Sequence, residues 1–195
     1  MPIKEHALPS VTLVLGGARS GKSRWAEDQI TAGFETLWTG ALYLATAEPG
    51  DAEMAARIAD HQARRGERWE TVECPIGLPR AILEHTKADR PILVDCLTLW
   101  LSNLMLTDRD VTAMTTALLG TLNAPPGPVI LVSNEVGLGI VPDTELGRRF
   151  RDAQGRLNQQ VSAVADRVVF LAAGLPLVLK DGKPSGNGIG GRGNG

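Results

Sequence analysis

A glycine-rich octet, GGARSGKS, directly follows the apolar run Val11–Leu15. It matches the pattern G-x-x-x-x-G-K-[ST], which is typical of a loop that joins a strand to a helix and binds the phosphates of a nucleotide. Glycines let backbone N–H groups turn toward phosphate oxygens, and the N-terminus of the following helix favours negative charge. The predicted nucleotide-binding residues are Gly16, Gly17, Ala18, Arg19, Ser20, Gly21, Lys22 and Ser23.

Two side chains of this octet and one later carboxylate have predicted chemical roles. Lys22 is expected to reach the β- and γ-phosphates and to act in catalysis, and Ser23 is expected to ligate Mg²⁺. Asp95 ends the apolar run Ile92–Val94 and is the predicted second metal residue. An alternative stays open, in which Asp95 only caps the helix that follows it.

His61 lies within the basic stretch RIADHQARRGER. Arg57, Arg64 and Arg65 lie three or four positions away, within reach on one helical face. Their positive potential favours a neutral, nucleophilic imidazole, and their guanidinium groups suit a triphosphate. The alternative is an ordinary solvated helix face.

Composition narrows the class of protein. The 195 residues suit one domain, and no apolar run reaches the ~18–20 residues that span a bilayer. The N-terminus resembles no signal peptide, so we expect a cytoplasmic protein. The net charge of −2 gives no general attraction to nucleic acid, and the two cysteines, Cys74 and Cys96, are expected to be reduced thiols. An Asn-Lys-x-Asp guanine clamp is absent, which disfavours a regulatory GTPase.

The elements that position these residues alternate between strands and helices. Strands are predicted at 11–15, 41–46, 91–95 and 129–133, with two closing strands at 167–174 and 175–180. Helices are predicted at 22–31, from Asp51 to Trp69 with Asp51 as N-cap, at 78–85, at 111–122 and at 143–165.

This alternation predicts an α/β fold of the P-loop NTPase type, with a doubly wound, mostly parallel sheet and an antiparallel edge hairpin. Residues 1–10 are expected to form an N-terminal extension, and 11–183 a single nucleotide-binding catalytic domain. Residues 184–195 are expected to form a disordered glycine-rich tail.

From about Val11 to Lys180, the chain resembles the bifunctional adenosylcobinamide kinase / adenosylcobinamide-phosphate guanylyltransferase family of cobalamin biosynthesis. The segments that carry the resemblance are GGARSGKSRWAE, YLATAE, DAEMAARIADHQARR, ILVDCLTLWLSNL, VSNEVGLGIVP and FRDAQGRLNQQVSAVADRVVFLAAGLPL. Their order and spacing are much more specific than the octet alone.

The resemblance implies two reactions. The first transfers a phosphoryl group from ATP or GTP to the aminopropanol hydroxyl of adenosylcobinamide. In the second, His61 attacks the α-phosphorus of GTP, and the guanylyl group then passes to adenosylcobinamide phosphate, giving adenosylcobinamide-GDP. Two alternatives remain: a simple P-loop kinase of small molecules with no nucleotidyl transfer, and a non-catalytic nucleotide-sensing module.

The resemblance also implies further site residues and an assembly. It implies a homotrimer whose substrates are small molecules, with no nucleic-acid partner. Asn134 and Glu135 are expected either to contact substrate and metal-bound water or to set the shape of their loop. The implied nucleotide contacts are Ala45, Thr46, Ala47, Gln62, Ala63, Arg64, Arg65, Glu73 and Asp95.

Overall fold

A computed structural model describes residues 8–33, 39–47 and 66–182. Within them lie seven strands: β1 Val11–Gly16, β2 Ala41–Ala45, β3 Trp69–Glu73, β4 Ile92–Asp95, β5 Val129–Asn134, β6 Arg167–Ala172 and β7 Leu175–Asp181. The same residues form five helices: α1 Lys22–Thr31, α2 Leu78–His85, α3 Leu97–Leu106, α4 Val111–Leu122 and α5 Glu145–Val164.

Several predictions fall outside these residues. They concern Asp51 as a helix N-cap, His61, the stretch from Gln62 to Arg65, residues 1–7 of the N-terminal extension and the glycine-rich tail.

The seven strands form one sheet in the order β3-β2-β4-β5-β1-β6-β7. All neighbouring pairs are parallel except β6 and β7, which are antiparallel. The predicted mostly parallel sheet with an antiparallel edge pair is therefore confirmed. The continuous apolar strands follow from burial on both faces, because helical crossovers cover a parallel sheet on each side.

Each face of the sheet has its own apolar cluster. Leu13, Val94 and Leu131 point to the face that helices α2 to α5 cover, with Trp100 of α3 fully buried there. Val14, Leu93 and Val132 point to the opposite face, where Ala26 and Ile30 of α1 pack. Side chains alternate along a strand, so neighbouring residues such as Leu13 and Val14 lie on opposite faces of the sheet.

The structure corrects the end of the predicted helix from Asp51 to Trp69, of which residues 51–65 lie outside the described residues. Gly66 to Arg68 are not helical, and Trp69 begins β3, which pairs with β2 from Trp69 to Glu73. The helical spacing of apolar residues that led to this prediction lies before Gly66, and the prediction extended it too far. Pairing with the exposed edge of β2 decides the conformation of this segment, which sequence periodicity cannot reveal.

Two smaller observations complete the fold. Cys74 and Cys96 are both free, in agreement with the expected reduced thiols, and both are buried. In the part of the chain that the structure describes, no helix combines the length and apolar character needed to cross a membrane.

Candidate nucleotide site

The predicted site residues that the structure describes lie at the edge of the sheet where the parallel strands end. Gly16, the last residue of β1, is in register with Asn134 of β5. Asp95 at the end of β4 is in register with Ala45 of β2, which in turn is in register with Glu73 of β3. Ligands of open α/β sheets bind outside this carboxyl edge.

Two glycines of the octet have conformations and surroundings that other residues resist. Gly16 has a φ of 153°, and a Cβ there would lie 2.4 Å from the carbonyl oxygen of Leu171. Gly21 has a φ of 95°, in the left-handed region that favours glycine. The pattern G-x-x-x-x-G-K-[ST] is thus explained by backbone geometry at its two fixed glycines.

The turn between β6 and β7 supports the loop from the side. The N–H of Gly174 donates to the carbonyl oxygen of Ser20 at 2.9 Å. A Cβ on Gly21 would lie 3.4 Å from the Cα of Gly174. The sequence analysis did not assign this role to Gly174, since the two segments are about 150 residues apart along the chain.

The N-terminus of α1 is suited to phosphate oxygens. Its N-cap is Gly21, no side chain caps it, and its first turn has no acidic residue. The Ser20 hydroxyl is buried with no hydrogen-bond partner among the described residues. Uncapped N–H groups and the helix dipole together favour an anion here.

Lys22 lies in the loop with only 7% of its surface exposed. Its Nζ donates to the carbonyl oxygen of Gly17 at 2.6 Å. Burial lowers the pKa of Lys22, and the nearby side chains of Cys96 and Asp95 oppose that effect. The Asp95 carboxylate thus favours the charged form of Lys22 and keeps its pKa from falling further.

Asp95 does not cap α3. The N-cap of α3 is Cys96, and Oδ2 of Asp95 accepts a hydrogen bond of 2.8 Å from the hydroxyl of Tyr43. The capping alternative is therefore wrong. Tyr43 orients the carboxylate at the strand end, a role that no sequence motif indicated.

The oxygens of Ser23 and Asp95 fit Mg²⁺ by chemical type. Mg²⁺ prefers hard oxygen ligands and is often bound through one or two protein groups together with substrate phosphates and waters. Among the described residues, no group of three or more His, Cys, Asp or Glu side chains could hold a metal ion. A site of one hydroxyl and one carboxylate beside the loop agrees with the expected Mg²⁺, which remains a prediction.

Thr46 has a structural role in addition to its predicted contact. Its buried hydroxyl accepts from the N–H of Cys96 and donates to the carbonyl oxygen of Cys96, both at 2.7 Å. Asn103 of α3 donates to the Thr46 carbonyl oxygen at 2.8 Å. These bonds tie the end of β2 to the start of α3 beside Asp95.

Cys96 itself is chemically quiet. Complete burial raises its pKa to about 11, and the neighbouring Asp95 carboxylate acts in the same direction. The side chain is therefore a neutral thiol at physiological pH.

The remaining predicted contacts differ in their surroundings. Ala45 is 7% exposed, whereas Glu73 is exposed at the far side of the same edge. Ala47 is half-buried after β2. Gln62, Ala63, Arg64 and Arg65 lie outside the described residues, as does His61, so their contacts stay predictions.

Similarity to known proteins agrees with this geometry. A protein of Pseudomonas aeruginosa named bifunctional adenosylcobalamin biosynthesis protein CobP is 49% identical over 174 residues, covering 88% of this chain and 98% of the relative. A protein of Salmonella typhimurium named bifunctional adenosylcobalamin biosynthesis protein CobU is 39% identical over 183 residues, covering 86% and 98%.

Among solved structures, the flagellar accessory protein FlaH of Methanocaldococcus jannaschii shares the fold. Its TM-score is 0.51 at 12% identity, and the match covers 90% of this chain and 80% of that one. At this identity the likeness concerns the fold alone.

A family model described as cobinamide kinase / cobinamide phosphate guanyltransferase matches residues 12–179. The matched range includes the phosphate loop, Asp95 and the whole seven-stranded sheet apart from its outermost residues. The chain therefore belongs to the cobinamide kinase / cobinamide phosphate guanyltransferase family and is a transferase of cobalamin biosynthesis.

Proposed function

We propose that this chain phosphorylates adenosylcobinamide with ATP or GTP and then transfers GMP from GTP to the product through a guanylyl-histidine intermediate at His61. The end product is adenosylcobinamide-GDP. The proposal rests on the membership of this chain in the family and on its phosphate loop, with Lys22 in that loop and Asp95 at the carboxyl end of β4.

In the kinase reaction, the hydroxyl oxygen of the aminopropanol group attacks the γ-phosphorus. The bond between that phosphorus and the β–γ bridging oxygen breaks, the nucleoside diphosphate leaves and the hydroxyl proton passes to solvent. The loop N–H groups and Lys22 bind the phosphates and offset the charge that they carry. When bound, Mg²⁺ adds neutralisation of phosphate charge, and Ser23 and Asp95 are the residues that would hold it.

In the guanylyl transfer, a ring nitrogen of His61 attacks the α-phosphorus of GTP and pyrophosphate leaves. The phosphate of adenosylcobinamide phosphate then attacks the same phosphorus, and the imidazole is the leaving group. A covalent intermediate divides one difficult displacement into two easier ones. The proposed contacts of Gln62, Ala63, Arg64 and Arg65 would hold the triphosphate during the first displacement.

Assembly and location belong to the same proposal. The chain is proposed to act as a homotrimer in the cytoplasm, on small molecules and with no nucleic-acid partner. Support for a subunit contact comes from exposed apolar side chains on the edge strand β7, which are Leu175, Leu177, Val178 and Leu179.

The experiment is incubation of the protein with Mg²⁺ and GTP labelled at the α-phosphate. We expect acid-labile, alkali-stable label on the wild-type protein and none on His61→Ala. His85→Ala is the matched control, because it removes a different histidine, at the end of α2, to which no role in the site is assigned. It should take up label like the wild type.

Two results would contradict the proposal. Absence of label on the wild type, with adenosylcobinamide still phosphorylated, would leave a simple kinase. Undiminished label on His61→Ala would show that the guanylyl group is attached to a residue other than His61. GTP labelled only at the γ-phosphate should leave no label and so excludes autophosphorylation.

A further inference from the structure

Three polar side chains are buried together between α5 and β5. Ser133 and Gln154 have no exposed surface and Asn158 has 5%. The Ser133 hydroxyl donates to Oδ1 of Asn158 at 2.7 Å, and Nε2 of Gln154 donates to both the Ser133 hydroxyl and Oδ1 of Asn158 at 2.9 Å. We call these three residues the amide cluster.

The amide cluster is costly for stability. Its neighbours in the core include the apolar residues Leu131, Leu157 and Val161. Apolar side chains at the three positions would avoid the free-energy cost of removing polar groups from water. Oε1 of Gln154 is also buried with no hydrogen-bond partner among the described residues. A partly satisfied buried network is less stable than an apolar core, so its presence calls for another reason.

That reason lies in what the amide cluster holds. Nδ2 of Asn158 donates to the carbonyl oxygen of Asn134 at 3.0 Å. The N–H on the other side of the same peptide group, that of Glu135, donates to the carbonyl oxygen of Gly16 at 3.1 Å. One peptide group therefore connects the amide cluster to the first glycine of the phosphate loop.

Asn134 is held on its other side as well. Its N–H donates to the hydroxyl of Thr98 on α3 at 2.8 Å. Side chains from two helices thus fix the backbone of Asn134. These side chains, of Thr98 and Asn158, are each at least nine-tenths buried.

The side chain of Asn134 itself is available. Ser133 points to the face covered by α5, so alternation along β5 places Asn134 on the opposite face, with Val132. Tyr43 and Leu93 also point to that face, which places Asp95 there. Asn134 is half-buried, and its carboxamide has no hydrogen-bond partner among the described residues.

We propose that the amide cluster and Thr98 are positioning residues for Asn134, whose carboxamide donates a hydrogen bond to the terminal phosphate group in the kinase reaction. This inference rests on the proposed binding of the triphosphate at the phosphate loop. A donor fixed in advance at the place where charge develops is the arrangement that stabilises a transition state, and it does so without reorganisation.

The test measures kcat and KM of adenosylcobinamide phosphorylation in a set of variants. Asn134→Ala should lower kcat about 100-fold, as loss of one preorganised donor does. Asn158→Leu keeps the branched shape and the number of heavy atoms of the side chain but frees the Asn134 carbonyl, and it should lower kcat about tenfold with KM for the nucleotide changed less than about twofold.

A double-mutant cycle separates positioning from a general loss of structure. If Asn158 acts through Asn134, Asn134→Ala/Asn158→Leu should have the kcat of Asn134→Ala alone, within about threefold. Independent effects would multiply to about 1,000-fold. A kcat that falls by the product of the two single losses would overturn the inference.

Thr98 gives a second route that does not depend on the folding of Asn158→Leu. Thr98→Val removes the acceptor for the Asn134 N–H and should lower kcat, whereas Thr98→Ser keeps the acceptor and should restore it. Thr86→Val is the matched control, because the buried Thr86 hydroxyl donates only to Ile82 within α2. It should lose some thermal stability and keep its kcat.

The outcomes also distinguish this inference from the proposed function. If the wild type and Thr86→Val phosphorylate adenosylcobinamide and Asn134→Ala does so equally well, only the role of Asn134 is refuted. If the folded wild type phosphorylates no adenosylcobinamide, the proposed function itself fails.

Discussion

Helices α1 and α5 each follow a loop at the end of a strand, but their N-termini are capped differently. α1 begins after Gly21, with no side-chain cap and no acidic residue in its first turn. α5 begins after Thr144, whose hydroxyl accepts from the N–H of Gly147 at 3.1 Å, and Glu145 lies in its first turn. Helix N-termini have unpaired N–H groups that need an acceptor.

The difference shows where the chain is prepared for a ligand. At α5 the protein supplies its own acceptor and its own negative charge, and Arg148 further closes the loop by donating to the carbonyl oxygens of Pro142 and Asp143. At α1 neither is supplied, so the N–H groups and Lys22 are left for an anion. Helices α2 and α3 also begin without a side-chain cap, so the uncapped N-terminus indicates the phosphate end only together with the glycine loop and Lys22.

The largest expected effect concerns the uncapped helix. Lys22→Ala should lower the rate of adenosylcobinamide phosphorylation about 1,000-fold, because the transferred phosphate loses its main cationic contact. Arg24→Ala, an exposed neighbour on α1, is the control and should keep the wild-type rate. If Lys22→Ala remained active, the assignment of the phosphate loop would be wrong.

A smaller effect is expected at the capped helix. Thr144→Ala should lower the free energy of unfolding by about 1 kcal/mol through loss of the cap, with nucleotide affinity unchanged. Urea unfolding and nucleotide titration measure the two quantities, and Thr144→Ser should behave like the wild type. A loss of nucleotide affinity in Thr144→Ala would mean that both helix ends serve the site.

The smallest expected effect is a gain of stability inside α5. No atom lies within 4 Å of a Cβ built on Gly155, so Gly155→Ala should raise the free energy of unfolding by about 0.5–1 kcal/mol. Gly147→Ala is the contrasting variant, because its Cβ would lie 2.8 Å from Cβ of Pro142 and 2.9 Å from the Thr144 hydroxyl. Thermal unfolding that showed an equal gain in both would contradict this account of the cap.

Prediction from the sequence succeeded where the chemistry is local. The loop from Gly16 to Ser23 is recognisable because strand, turn and helix follow one another directly, and each fixed residue answers a nearby backbone requirement. The predicted bounds of α1, α2 and α4 agree with the structure for a similar reason, since apolar spacing decides which face of a helix is buried. The predicted start of α5 at Asp143 differs by two residues, because Thr144 is its cap.

Prediction failed where the deciding contact is distant. β3 was missed because its conformation comes from pairing with β2, and the amide cluster was missed because Ser133 lies 21 residues from Gln154 along the chain. The orientation of Asp95 by Tyr43 spans 52 residues. None of these contacts has a period or a motif that a single sequence displays.

The sequence by itself determined that this chain has a phosphate loop on an alternating α/β scaffold, because that loop is built from neighbouring residues whose allowed backbone angles and charges are intrinsic. Asp95 and Asn134 were already candidates from the sequence, but only the tertiary structure decided how they are held beside the loop and that the turn at Gly174 supports it. Strand order places the carboxyl ends of β5 and β6 on either side of that of β1, with β4 next to β5, and hydrogen bonds then fix the Asp95 carboxylate and the Asn134 backbone.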